Sequence, residues 1–409
     1  MKRQGTWGPQ IAAVLLLAVW AVPAMADGPA LTRLYGAAEN AMTAANTPAG
    51  MTRLDESQLA TSLVVAQSFS RFKVDENRTT VDGGNPRNPD PLFIPSLGYV
   101  KPLSEDWRLG LSLFAPAGFG ASQGPNWAGR YYSDNFHLVF VAMNTVLAYK
   151  VAPWLSLGGG VSINYSDSES TTQVNNAGSP DDAKLTSEAD GVGAGLVFSA
   201  LIEFTPRTRL GLNYITEVET DNDVKLRLKR SNLPQDEIDL INAAGDDIDV
   251  KLRSPARFEA GLFHEWESGW TASLDAIWIE MSRFGLSEIK VLGSQVETPG
   301  SVFDDFWVVT AGLSRPFSDR LEGRIGFAVM ESPVNNRKRT LSFGIDNAYG
   351  GGVGLHYQRL NGNAVSTNLG LFNGGSGPVD TGDDPFAGRV AGRKKNHYLL
   401  SWGITYEFN

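Results

Sequence analysis

The 409-residue chain contains no cysteine, which argues against a disulfide-stapled secreted module and against thiolate metal sites. Basic charge is also scarce, because 35 lysines and arginines face 45 acidic residues and leave a net charge of −10. Such a surface offers no footprint for nucleic acid. The four histidines lie far apart without the spacing of metal ligands, so we predict no metal site: His137, His264, His356 and His397.

Long apolar runs are missing too, since no segment after the N-terminus approaches the roughly 20 residues of a transmembrane helix. The one apolar run, Ile11–Val22, is shorter and lies between a basic start and the small residues Ala24-Met25-Ala26. This is the pattern of a cleaved secretion signal. We expect residues 1–26 to be a signal peptide, and a retained anchor is the less favoured alternative.

The dominant pattern of the chain has period two, and its last strand is the clearest case. Apolar residues, mostly aromatic, alternate there with small or polar ones: Leu400, Trp402, Ile404, Tyr406 and Phe408. Period two indicates a strand with one apolar and one polar face. Because this strand ends a secreted chain, we predict the wall of an outer-membrane barrel, with lipid outside and the lumen inside.

A second strand, Trp270–Met281, indicates what the lumen holds. Trp270 and Trp278 share one face about 20 Å apart, which is close to the height of the lipid-facing band. The other face carries Asp275 and then turns apolar, with Ile277, Ile279 and Met281. A water-filled porin has no need of such a lumen, whereas a conduit for apolar molecules has.

Repeated alternation predicts an all-β fold, a transmembrane antiparallel β-barrel of about 14 strands. The expected strand starts are Gln58, Phe93, Trp107, His137, Leu155, Val192, Arg209, Pro255, Trp270, Phe303, Arg320, Asn347, Ala364 and His397. Short turns alternate with long polar stretches that we expect to be outer loops: Asp75–Pro91, Asp167–Asp190, Asp221–Asp249 and Asn373–Lys395. A short helix is expected after Pro234.

Catalytic patterns do not stand out. Gly191-Val-Gly-Ala-Gly195 mimics part of a nucleotide-binding loop, but a strand runs through it and no crossover helix follows. The Gly-x-Ser-x-Gly elbow of hydrolases is absent. We predict that the protein is not an enzyme and has no catalytic residues. A barrel enzyme with a Ser–His or Asp–His dyad is the alternative left open.

Five segments together resemble the FadL/TodX family of outer-membrane transporters of hydrophobic compounds: Phe114–Gly120, Trp127–Tyr131, Asn144–Tyr149, Leu155–Asn164 and Ile277–Phe284. The N-terminal Asn40–Met51 is similar to the family's hatch, although Thr47 replaces the asparagine that precedes the proline there. The resemblance implies that residues 27–55 plug a barrel of residues 56–409, with hatch residues Asn46, Thr47, Pro48, Ala49, Gly50 and Met51.

The same resemblance implies passive uptake of long-chain fatty acids or hydrocarbons, without an energy source or a cofactor. It also implies a monomer surrounded by outer-membrane lipid and lipopolysaccharide, and the acidity of the chain suits loops at that cation-rich surface. A diffusion porin for polar solutes is the main alternative.

Two candidate sites follow from these motifs. Pro116 lies inside a strand and removes a donor from its hydrogen-bond ladder, so that with Gly118 and Gly120 it opens a lateral gap; alternatively, the strand ends there. Arg130 binds a fatty carboxylate, or instead anchors a loop by pairing with Asp134 or stacking on a ring. Aromatic residues line a substrate groove, or with equal weight pack the loops: Phe119, Trp127, Tyr131 and Phe136.

Overall fold

The computed structural model describes residues 29–408, except residues 89, 176–180, 230, 233, 299, 342–345 and 386. The predicted signal peptide and Asn409 lie outside the described residues. Within the described ranges, no helix is both long and apolar enough to cross a membrane.

Strand segments make up most of the described chain and form one antiparallel sheet. Their bounds are β1 Gln58–Val74, β2 Leu92–Pro102, β3 Trp107–Ser122, β4 Asn135–Ala152, β5 Leu155–Val174, β6 Ala183–Thr205, β7 Thr208–Ile215, β8 Val218–Lys229, β9 Ile248–Ser254, β10 Arg257–Glu265, β11 Thr271–Ile279, β12 Gly285–Val291, β13 Ser294–Val296, β14 Phe306–Ser318, β15 Leu321–Met330, β16 Ala348–Gln358, β17 Ala364–Asn373, β18 Gly377–Asp380 and β19 Ala391–Phe408.

The sheet closes into a barrel. The pairings run β1 to β7 in chain order, then through β10, β11, β14, β15, β16, β17 and β19. The last strand returns to the first, with Phe408 opposite Leu59 and Trp402 opposite Val65. Three further strands extend the sheet past the ends of β7, β10 and β11. β8 pairs with β6, β9 pairs with β8, and β12 pairs with β9. The predicted all-β barrel of about fourteen strands is confirmed.

Alternate residues face opposite environments, as the period-two pattern predicts. Phe198 and Phe327 point outward with 53% and 60% of their surface exposed, whereas Thr405 is buried on the inner side of β19. Trp270, directly before β11, is exposed and Ile277 of β11 is fully buried, as predicted. The strand ends earlier than predicted, because Met281 lies in the 3₁₀ turn Met281–Arg283. Exposed large apolar side chains recur along the strands on this outer face, and such a belt fits a wall that is surrounded by lipid.

The prediction of loops for two long polar stretches is wrong, and a third stretch, Asn373–Lys395, contains β18 and the start of β19. β5 continues to Val174 and β6 begins at Ala183, so most of Asp167–Asp190 is strand. The stretch Asp221–Asp249 likewise contains most of β8 and the start of β9. These strands project past the apolar belt, where their outer face meets water and polar residues replace lipid-facing ones. The short helix predicted after Pro234 is confirmed as Gln235–Ala244.

Residues 29–54, which we name the N-terminal segment, lie in the lumen against the wall. The segment contains the helix Thr43–Asn46 (α1) and two 3₁₀ turns, Pro29–Leu31 and Pro48–Arg53. Asn40 Nδ2 donates to Glu407 Oε1 at 3.0 Å, which places Glu407 on the inner face of β19. The segment therefore reaches the end of the barrel where the short turns lie.

Candidate functional site

An apolar cluster fills one side of the lumen. β4 contributes alternate residues to it, among them Phe136, Phe140 and Ala142, because every second side chain of a strand points inward. The facing wall and the segments beside it complete the cluster with Ile277, Ile279, Met281, Phe284, Phe303, Phe306 and Val308. Leu34 and Tyr35 of the N-terminal segment form its floor. Such a lining interacts favourably only with apolar molecules.

A narrow cavity of about 30 Å³ lies within this cluster, bounded by Pro116, Phe140 and Ile279. A water molecule needs roughly 10–15 Å³ of such volume, so the cavity has room for little more than one or two waters. A hydrocarbon chain is much larger. Passage of a chain through this side of the lumen therefore requires side chains or the floor to move.

The wall beside this cavity is paired on one side only. β3 pairs with β2 from Arg108 to Leu113, and no pairing with β2 is present for Phe114–Ser122 among the described residues. β3 nevertheless continues past Pro116, and its pairing with β4 shifts register between Phe114 and Ala117. Gly118 and Gly120 follow this irregularity, so all three predicted gap residues border the unpaired edge.

Arg130 lies in the loop layer above the lumen, where two carboxylates neutralise it. Its Nε donates to Asp182 Oδ2 at 2.8 Å and its Nη2 to Asp82 Oδ1 at 2.9 Å. The hydrogen bond from Arg130 lowers the pKa of the Asp82 carboxyl. The guanidinium also stacks on Tyr131, 4.5 Å from the ring centre. Asp134, the expected partner, instead accepts from Gln173 Nε2 at 2.6 Å.

The other predicted groove residues separate into two layers. Trp127 is buried among the loops, meets the ring of Phe72 edge-on and donates from its indole N–H to the Ser133 carbonyl at 2.6 Å. Phe136 belongs to the apolar cluster in the lumen. Phe119 pairs through its backbone with Leu138, and its side chain lies outside the described part of the chain. Sequence reasoning did not predict that Phe140 and Ala142 belong to the apolar cluster. The alternation along β4 was the signal that could have identified them.

The predicted hatch residues are all buried in the N-terminal segment: Asn46, Thr47, Pro48, Ala49, Gly50 and Met51. The Ala49 N–H donates to Ser199 Oγ of the wall at 2.7 Å. A Cβ at Gly158 would lie 2.5 Å from this same nitrogen, so the wall needs glycine there. Thr47, at the position that departs from the family, keeps its Oγ1 without a hydrogen-bond partner in the described ranges.

The opposite side of the N-terminal segment borders a polar cavity of about 230 Å³ near the short turns. Arg33, Glu39, Glu322 and Arg324 line it and form a chain of ion pairs. Burial raises the pKa of the Glu39 carboxyl, but Arg33 and Arg324 outweigh this effect and hold that pKa well below its usual value. The segment therefore separates an apolar compartment from a charged one.

Comparisons with known proteins agree with this architecture. A family model described as outer membrane protein transport protein (OMPP1/FadL/TodX) matches residues 17–408. A long-chain fatty acid transport protein of Escherichia coli O6:H1 is 22% identical over 298 residues, which cover 64% of this chain. The aligned region spans 66% of that relative, just under two thirds of its length.

Solved structures share the fold over almost the whole chain. A Pseudomonas aeruginosa FadL homologue aligns with a TM-score of 0.78 at 18% identity, covering 96% of this chain and 99% of that one. The Pseudomonas putida toluene transporter TodX aligns with a TM-score of 0.65 at 15% identity, covering 94% of this chain and 99% of that one. The Ralstonia pickettii toluene transporter TbuX aligns with a TM-score of 0.64 at 16% identity, covering 94% of this chain and 98% of that one.

Proposed function

Because the chain belongs to the OMPP1/FadL/TodX family of outer-membrane transport proteins, we propose that it takes up hydrophobic molecules passively through its barrel. The observation that carries this proposal is the apolar cluster in the lumen between Phe140 and Ile277. A pore for polar solutes is lined with polar side chains, because dissolved solutes keep their water. Long-chain fatty acids and hydrocarbons are the proposed substrates, and the names of the relatives include both classes.

The N-terminal segment acts in this proposal as the hatch, within residues 27–55. Its buried position supports this role, because Leu34 and Tyr35 close the apolar cluster towards the polar cavity. The cavity of about 30 Å³ is too small for a substrate chain, so uptake needs a rearrangement of this floor. No step requires a cofactor or a catalytic residue.

The exit is proposed to be lateral, through the wall between β2 and β3. The one-sided pairing of Phe114–Ser122 supports a gap there, and Gly118 and Gly120 themselves add no side chains to its border. An apolar molecule that leaves sideways enters lipid directly. It thereby avoids the charged cavity around Arg33, where transfer from an apolar lining is unfavourable.

One experiment tests the proposed function. Purification in mild detergent followed by native mass spectrometry is expected to find the barrel with a bound apolar molecule. In planar bilayers the same preparation is expected to lack a steady open conductance, because the lumen is filled. A large steady pore without a bound apolar molecule would instead support a diffusion porin.

Trp127, Arg130 and Tyr131 are proposed to hold the loop layer in place, while Phe119 and Phe136 remain candidates for substrate contacts. Arg130→Gln is expected to change the affinity for a fatty acid relative to the alcohol of equal length by less than about threefold, because Asp82 and Asp182 already neutralise the guanidinium. Titration of both ligands with purified protein measures this ratio.

The matched control for Arg130→Gln is Arg389→Gln, which removes a guanidinium paired with Asp380 in a different loop. The contrary result is that Arg130→Gln alone lowers the affinity for the acid about tenfold while the affinity for the alcohol stays unchanged. That result would identify Arg130 as a carboxylate-binding residue.

A further inference from the structure

Asp275 is a carboxylate in the wall whose partners come from the N-terminal segment. It projects from β11 into the lumen, and none of its surface is exposed. One carboxylate oxygen accepts from the Arg33 backbone N–H at 2.9 Å, and the other accepts from the Tyr35 backbone N–H at 3.3 Å. The hydroxyl of Thr310 on β14 adds a longer contact of 3.4 Å. A buried carboxylate needs such donors, because burial removes its water.

The backbone of the N-terminal segment is shaped to receive this carboxylate. Ala30, Leu31 and Arg33 adopt positive φ values of 54°, 61° and 65°, which are uncommon for residues other than glycine. Left-handed residues within a short segment turn successive N–H groups towards one side and create a concave anion-binding nest. The conformation is unfavourable by itself and persists only where surrounding contacts fix it.

Three glycines bring this backbone against the wall. A Cβ at Gly211 would lie 1.9 Å from the Tyr35 carbonyl oxygen, and a Cβ at Gly36 would lie 2.5 Å from the Gly261 carbonyl oxygen. Main chain therefore packs directly on main chain at β7 and β10. Arg209 of β7 completes the contact by donating from its Nε to the Gly36 carbonyl at 2.8 Å.

We propose that Asp275 positions the hatch: its carboxylate binds the backbone nest of Arg33–Tyr35 and holds Leu34 and Tyr35 as the floor of the apolar cluster. Asp275 is thus a positioning residue, because it affects the substrate path indirectly, by holding the N-terminal segment in place. The role in gating rests on the proposed function. The docking of the segment is a separate property that can be measured without any substrate.

The absence of cysteine permits a direct test. Ala37→Cys places a single thiol in the N-terminal segment at a residue that is only 3% exposed. A bulky polyethylene-glycol maleimide should label it slowly in the intact barrel. Adding Asp275→Asn replaces one acceptor oxygen with a donor that faces backbone N–H groups. Labelling is then expected to accelerate about tenfold or more, as loss of a hydrogen bond to a charged group predicts.

Two comparisons isolate the cause. Asp223→Asn makes the same chemical change at an exposed residue of β8 and should leave labelling unchanged. Gly211→Ala disturbs the docking from the other side without altering the carboxylate and should also accelerate labelling. Gly351→Ala, on the outward face of β16, is its control. Heat-resistant migration on a gel identifies which variants still form a folded barrel.

The inference is overturned if the thiol at position 37 stays protected in folded barrels that carry Asp275→Asn. It is supported if folded Asp275→Asn barrels expose that thiol while both controls protect it. If Asp275→Asn does not form a folded barrel, the same two outcomes are read from Gly211→Ala. Ligand binding is scored separately by native mass spectrometry. Accelerated labelling in a protein that binds no apolar ligand would retain the inference and reject the proposed function. If the protein binds an apolar ligand while the thiol stays protected in the variants, the proposed function is retained and the inference is rejected.

Discussion

Ala142→Lys is expected to reduce uptake of a long-chain fatty acid about tenfold or more. Ala142 lies inside the apolar cluster, only 2% exposed, opposite Phe114 on β3. An ammonium group there must lose water or keep water inside the path, and both raise the barrier for an apolar substrate. A barrier rise of about 1.4 kcal/mol is sufficient for a tenfold slower passage. Uptake of labelled fatty acid by cells without another such channel measures the effect.

Ala142→Met is the matched variant, because methionine has nearly the length of lysine without its charge. Its flexible side chain adapts to irregular space, so uptake is expected to stay within about threefold of the unchanged protein. Equal losses in both variants would point to obstruction rather than polarity. Normal uptake by folded Ala142→Lys barrels would show that substrates do not pass this cluster.

Gly118→Trp is expected to lower uptake by about tenfold with little change in the free energy of unfolding. The nearest atom to a Cβ built at Gly118 is the Leu138 carbonyl oxygen at 3.6 Å, an ordinary contact that a side chain can make without strain. The indole would then occupy the unpaired edge between β2 and β3. Because surface substitutions that create no clash usually change stability by less than about 0.5 kcal/mol, lost uptake would reflect a closed exit.

Gly351→Trp provides the comparison for Gly118→Trp. Gly351 lies in β16, which pairs on both sides, with Phe327 of β15 and Leu371 of β17. A tryptophan there enlarges the lipid-facing surface of a closed wall, so uptake should remain unchanged. If Gly118→Trp also transports normally, substrates leave by another route, and displacement of the N-terminal segment towards the short turns becomes the favoured exit.

Much of the barrel could be predicted because its wall is encoded locally. Each spanning strand must place apolar residues towards lipid and smaller or polar residues towards the lumen, so every second residue carries the signal. The expected starts at Gln58, Trp107, Leu155 and Ala364 coincide with the observed ones. The signal weakened above the apolar belt, where both faces of a strand can be polar. β5 was therefore predicted to end too early and β6 to begin too late, and most of β8 was predicted to be loop.

The candidate site was less predictable, because its contacts join distant parts of the chain. The tryptophan, arginine and tyrosine at 127–131 form a recognisable motif, but Asp82 and Asp182 as partners of Arg130 depend on how three loops meet. Pro116 indicated an irregular strand. β2 stops pairing with β3 beyond Leu113. This depends on the neighbouring strand and on the register between the two strands.

The sequence by itself predicted an N-terminal secretion signal. It determined that the strands alternate between lipid and lumen and that the lumen turns apolar towards one end of β11. Only the tertiary structure decided which residues meet across that lumen. Asp275 and Arg33 are 242 residues apart, and closure of the barrel brings the carboxylate to the backbone nest. Strand periodicity fixes the face on which a side chain lies, whereas the register and closure of the whole sheet fix its partner across the lumen.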